Sequence, residues 1–123
     1  ISVAIALTCV LNIREKLDSI ANQTIKCDEL IVSDDNSSDK TLDIVSEYKD
    51  RINIRININK PNLGVYKNFE KAISLCKGDI IFCCDQDDIW KLDKLEKHIK
   101  EFEDKAKSIL VFSNAACVLK NRD

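Results

Sequence analysis

The chain has 123 residues, 33% of them charged and 45% hydrophobic, with a formal net charge of -2. That length fits one domain with a real core, and the even mixture of signs gives no electrostatic footprint for nucleic acid or an anionic membrane surface. No apolar run approaches the roughly 18–20 residues of a membrane span, no signal-peptide pattern is present, and two glycines and one proline argue against a disordered or repetitive protein.

Ile1 to Leu7 is an apolar run that predicts a buried first strand. After Thr8-Cys9-Val10-Leu11-Asn12, the stripe Ile13, Leu17, Ile20, Ala21 and Thr24 has helical spacing. Asp28 to Ser33 reads as a second strand that runs into Asp34-Asp35-Asn36-Ser37-Ser38-Asp39, a cluster of turn and cap residues. The next helix carries Leu42, Val45 and Tyr48 inward. Ile52, Ile54, Ile56 and Ile58 alternate with Asn53, Arg55 and Asn57, which predicts a strand with one wet face. Lys60-Pro61-Asn62-Leu63-Gly64 breaks that strand, and Val65, Phe69, Ala72, Ile73 and Cys76 form a third helical stripe.

Lys77-Gly78-Asp79 turns into Ile80 to Cys84, an apolar run that predicts a central strand buried on both faces. The run ends at Asp85, Asp87 and Asp88. If the backbone stays extended, Asp85 and Asp87 share a face, and two carboxylates that close are best tolerated with a cation or proton between them. Oxygen-only ligation suits a hard divalent ion, Mg²⁺ or Mn²⁺. The plain alternative is a polar turn capping the next helix. That helix follows from Leu92, Leu95, Ile99, Phe102 and Ala106, and Ser108 to Asn114 reads as a fifth strand.

Strands alternating with helices predict an α/β domain, a mostly parallel sheet covered on both faces with right-handed crossovers. The ends of the first, second and fourth strands then share a rim, where open α/β sheets bind ligands. Thr8, Asp35 and the Asp85–Asp88 cluster meet there. The six cysteines make no C-x-x-C pair and match no zinc spacing, so they read as reduced thiols used as small core residues, as in a cytosolic chain. His98 and the Lys91–Lys107 charges read as a solvated helix face, and Trp90 as a packing residue under the acidic loop. Lys67 and Lys71 have an amphipathic helix as sufficient reason.

Four stretches carry a family resemblance. They are Leu17-Asp18-Ser19-Ile20-Ala21-Asn22-Gln23-Thr24, then Ile31 to Asp39, then Asn62-Leu63-Gly64 with Asn68, and finally Lys77-Gly78-Asp79 leading into Asp85-Gln86-Asp87-Asp88-Ile89-Trp90. In this order and spacing the chain resembles the N-terminal, nucleotide-sugar-binding half of family 2 glycosyltransferases, which have the Rossmann-like GT-A fold. The last stretch is most similar to bacterial enzymes that build surface polysaccharides, rhamnosyltransferase-like members among them.

The resemblance implies that residues 1–123 form a donor domain incomplete on its C-terminal side, lacking the acceptor half and the catalytic base. It implies metal-dependent, inverting transfer from a nucleotide diphosphate-sugar to a glycan or lipid-linked acceptor, in the cytoplasm or peripherally at the inner face of the membrane. By the same resemblance Thr8, Asp35, Asn62, Gly64 and Asp85 would bind the donor, with Asp35 accepting a hydrogen bond from the base and Asp85 near the ribose and sugar. Asp87 would be the main ligand of Mg²⁺ or Mn²⁺, joined by Asp85 and Asp88, unless Asp88 caps a helix beginning near Ile89. The chain departs from the family at Leu7 to Ile13, where no aromatic is present to stack on a base. Two other readings compete. One is a receiver-like signalling module with Asp34, Asp35 and Asp85 around Mg²⁺, although Asn114-Ala115 stands where such a module needs a lysine. The other is a catalytically inactive nucleotide-binding fragment.

Overall fold

Alternation of strand and helix holds through the computed structural model, which describes residues 1–8, 12–37, 40–85, 88–105 and 107–117. The order is β1 (Ser2–Leu7), α1 (Ile13–Ala21), β2 (Glu29–Asp34), α2 (Thr41–Ser46), β3 (Ile54–Ile58), α3 (Val65–Ser74), β4 (Ile81–Cys84) and α4 (Lys94–Asp104). The four strands form one sheet in the order β3-β2-β1-β4, every pair parallel. Parallel neighbours need crossovers over the sheet, and the helices supply them.

Register divides the sheet's side chains between two unequal cores. Val3, Ile5 and Leu7 pair in register with Leu30, Val32 and Asp34, and this face packs against Ile13, Leu17 and Ile20 of α1, Val45 of α2, and Trp90 and Leu95. Full burial of each such aliphatic side chain contributes about 1.5–3 kcal/mol, so this face supplies most of the hydrophobic stabilisation. The opposite face holds a small cluster of Ala4, Ile31 and Ala72, with Leu75 and Cys76 beside it.

The remainder of that second face is polar and internally satisfied. Glu29 is 6% exposed; it accepts hydrogen bonds from Ser2 Oγ at 2.6 Å, from Arg55 at 2.8 Å and from the Lys77 amide. Burial opposes its ionisation, but these donors outweigh burial and hold its carboxyl down to about 2. Gly78 closes the same cluster: its amide donates to Ser2 Oγ at 2.8 Å, and a Cβ there would stand 2.6 Å from that oxygen. Only glycine permits this approach.

Three expectations are corrected. β4 is an edge strand, not a central one, and it is buried on one face only: Phe82 and Cys84 are buried whereas Ile81 and Cys83 are exposed. An apolar run reports hydrophobicity but not whether a helix covers the second face, and α3 packs chiefly over β1 and β2. No fifth strand forms among the described residues: Ile109, Leu110 and Phe112 are 96%, 74% and 85% exposed. Strand composition there finds no ladder partner, and a strand exists only through pairing.

The cysteine expectation holds for pairing and fails for burial. Cys27, Cys76, Cys83, Cys84 and Cys117 are all free thiols, yet only Cys84 is buried. Cys83 and Cys84 do point to opposite faces. No helix among the described residues is long and apolar enough to cross a membrane.

Candidate functional site

Three adjacent strand ends form the rim. Leu7 is in register with Asp34, and Ile5 with Cys84, so Thr8, Asp35 and Asp85 follow the carboxyl ends of β1, β2 and β4 side by side. The order reverses at β1, because β2 and β3 extend to one side of it and β4 lies on the other. A crevice outside the strand ends at such a reversal is the usual ligand position in this architecture. With neighbouring strands about 4.8 Å apart, the ends carrying Asp35 and Asp85 stand about 10 Å from each other.

Asp35 anchors one side of this rim. It is 7% exposed, and it accepts hydrogen bonds from the amides of Leu63 at 2.6 Å and Gly64 at 3.0 Å, and from Asn59 Nδ2 at 3.3 Å. Burial disfavours its charge, but the two amides and Asn59 prevail and depress its pKa. A carboxylate offers about four lone-pair positions, so three donors leave room for one more. Gly64, at φ 86, precedes α3 in a conformation that costs other residues strain. Asp35 therefore holds the Asn62-Leu63-Gly64 loop against the end of β2.

Asparagines tie that loop into the sheet. Asn59 Nδ2 donates to Asn68 Oδ1 at 2.8 Å, Asn57 Nδ2 donates to Asn59 Oδ1 at 2.8 Å, and Asn68 Nδ2 donates to the Leu7 carbonyl at 3.2 Å. Asn59 and Asn68 are buried, so the ends of β1, β2 and β3 and the first turn of α3 share one network. Asn59 is a site residue that sequence reading missed. Its only signal was an asparagine ending an alternating isoleucine strand. Asp34 turns away from the rim's open side and accepts from the Ser37 amide and hydroxyl at 2.9 and 2.7 Å.

The acidic loop is anchored on the other side. The Asp88 amide donates to the Asp85 carbonyl at 3.2 Å, a turn that keeps these exposed residues together. Trp90, 7% exposed, packs beneath with its ring centroid 6.1 Å from that of Phe82, and its amide donates to Ser19 Oγ at 3.2 Å. This bears out the packing role expected for Trp90. Gln23, also unassigned from sequence, is 1% exposed and bonds both ends of the connection to α4. Its Nε2 donates to the Lys91 carbonyl at 2.7 Å and the Ser19 carbonyl at 2.8 Å, while its Oε1 accepts from the Leu95 amide at 3.0 Å. Gln23 thereby caps α4, whose N-cap residue Asp93 makes no side-chain cap bond.

Two expectations change here. Asp88 caps no helix, because α4 begins at Lys94 rather than near Ile89. His98 is half-buried, its ring 5.7 Å from Phe82, and burial followed by the nearby Lys94 charge lowers its pKa.

Thr8, Asn62 and Gly64 are all exposed at the rim. Asp87, expected as the main metal ligand, lies outside the described residues, as do Cys9, Val10 and Leu11 of the first loop. Among the described residues no group of three or more metal-ligating side chains converges. The donors at the end of β4 fit a hard ion in kind: Asp85 and Asp88 offer carboxylate oxygens, while burial pushes the neighbouring Cys84 thiol up to about 12 and withholds a thiolate. A receiver-like site would need Asp34 and Asp35 for its ion, and both carboxylates are instead occupied in holding loops.

Known proteins share this arrangement. The family model for glycosyl transferase family 2 matches residues 4–122. A dTDP-rhamnosyl transferase of Shigella flexneri, RfbG, is 39% identical over 116 residues, covering 89% of this chain and 37% of that protein. The crystal structure of S. aureus TarS 1-349 in complex with UDP superposes with a TM-score of 0.75 at 26% identity, covering 85% of this chain and 32% of that one. A mannosyltransferase of Pyrobaculum calidifontis, PcManGT, in complex with GDP-Man and Mn²⁺, gives a TM-score of 0.70 at 25% identity, over 84% of this chain and 32% of that one. The chain spans 10% to 37% of the length of the curated relatives it matches. With the parallel sheet of the GT-A glycosyltransferases and the family's motifs placed along its rim, the chain belongs to glycosyl transferase family 2.

Proposed function

We propose that this chain is the donor-binding part of a sugar-nucleotide-dependent glycosyltransferase acting in polysaccharide assembly. The base would lie toward Asp35, the sugar and ribose near Asp85, and Thr8, Asn62 and Gly64 would line the path between them. The observation that carries this reading is the placement of Thr8, Asp35 and Asp85 at three adjacent strand ends beside the reversal of strand order.

Mg²⁺ or Mn²⁺ would be held by Asp85, Asp87 and Asp88, and when bound it supplies charge neutralisation for a departing nucleoside diphosphate. Support comes from the oxygen-only donor set and from the Mn²⁺ in the PcManGT complex. The sugar would pass to a glycan or lipid-linked acceptor with inversion, a carboxylate base from outside residues 1–123 taking the acceptor's proton.

Calorimetric titration of UDP, dTDP and GDP, with and without Mn²⁺, tests this on the chain and on Asp87→Ala. One nucleotide is expected to bind far better with metal, and Asp87→Ala to abolish that gain. Absence of binding to all three nucleotides would replace this reading with that of an inactive fragment.

A further inference from the structure

Lys16 lies on α1 with its side chain turned inward, 1% exposed, among the largest fully buried side chains of the protein. Its ammonium has no hydrogen-bond acceptor of oxygen or nitrogen among the described residues. Its neighbour is the Cys84 thiol, a weak acceptor, and its charge is felt by the carboxylates of Asp88 and Asp85. A buried, unbonded ammonium is costly unless an opposing charge compensates it. Here the opposing charge is the acidic loop above it. Nothing in the hydrophobic stripe of α1 requires a lysine, because Ile13, Leu17 and Ile20 already fill that core.

We propose that Lys16 is a built-in counter-cation of the acidic loop, assuming part of the neutralising role of a divalent ion, so that a nucleoside diphosphate binds there with reduced dependence on metal. This rests on the nucleotide-site reading above. Lys16 is a positioning residue, since it is buried beneath the loop and does not reach the ligand. Its positive charge repels an incoming Mn²⁺ and favours the diphosphate, and one unit charge at such range alters either equilibrium by about tenfold.

The test compares the chain with Lys16→Gln and Lys16→Arg by calorimetry, using Mn²⁺ alone and then UDP, dTDP and GDP with and without Mn²⁺. Lys16→Gln is expected to bind Mn²⁺ alone about tenfold more tightly and to show a correspondingly larger gain in nucleotide affinity from metal, with Lys16→Arg unchanged. Equal or weaker Mn²⁺ binding by Lys16→Gln overturns the proposal and leaves the nucleotide site standing. A wild-type chain that binds neither Mn²⁺ nor any nucleotide overturns both. Should Lys16→Gln fail to fold, the wild type decides the matter alone. The ¹⁵N resonance of Lys16 Nζ must shift when Mg²⁺ is added, and an unmoved resonance at saturating Mg²⁺ refutes the counter-cation role.

Discussion

Replacing Asp35 with asparagine separates its work as a loop anchor from any contact with a ligand. In the native rim its two oxygens face the Leu63 and Gly64 amides at 2.6 and 3.0 Å. Asparagine keeps one oxygen and sets an NH₂ group against the other amide, so one donor is orphaned and the surviving bond loses its ionic character. Hydrogen bonds to charged groups contribute about 1.5–3 kcal/mol, and an unsatisfied buried donor costs about 1–3 kcal/mol. Asp35→Asn should therefore lose about 3 kcal/mol of stability at pH 7, a large share of the 5–15 kcal/mol typical of a whole domain.

The pH dependence adds a second signature. Asp35 has a folded pKa below its ordinary value of 3.8, so its contribution is complete above that value and is lost as pH falls through the folded pKa. Urea denaturation of both chains should show a constant gap from pH 7 down to about pH 4, narrowing below it. Hydrogen exchange of the Leu63 and Gly64 amides should accelerate in the variant. A gap under about 0.5 kcal/mol, within the range of ordinary surface substitutions, or a gap that persists undiminished at lower pH, would refute the anchor.

The second-face cluster makes a similar acid test away from the site. Glu29, ordinarily near 4.5 and held at about 2, stabilises the fold by up to about 3 kcal/mol above its ordinary value, a contribution that fades between those two pH values. Circular dichroism on acidification should show Glu29→Gln less stable at pH 7 and flatter across that window, and parallel profiles would contradict the assignment. Gln23→Ala leaves the Lys91 carbonyl and Leu95 amide without their partner, at a cost of about 2–3 kcal/mol. Exchange protection of the Leu95 amide should fall by at least tenfold, and unchanged protection would show that α4 is capped by other means.

What the amino-acid order determined by itself was local period and its sequence along the chain. Uninterrupted apolar residues made Ser2–Leu7 and Glu29–Asp34 strands buried along their length, and spacings of three and four residues placed Leu17, Val45 and Leu95 on inward helix faces. Alternation of those elements implied a parallel sheet, and with it a shared rim for Thr8, Asp35 and Asp85. A periodic pattern is a property of neighbours in sequence, so it survives without knowledge of partners.

Only the tertiary structure decided which side chains were covered and what satisfied the polar ones. The run Ile81–Cys84 resembled the two buried strands in composition, yet its place at the sheet edge leaves Ile81 and Cys83 exposed. Strand-like composition at Ile109–Phe112 forms no strand because pairing requires a partner that local sequence does not specify. Gln23 meets Leu95, 72 residues away, and Asp35 meets Gly64, 29 residues away. Lys16 reads as an ordinary charge on an amphipathic helix until the fold carries it beneath Asp85 and Asp88. Burial of a polar group is stable only through partners brought from distant parts of the chain, and for that physical reason the anchors of this rim appear in the fold and not in the pattern.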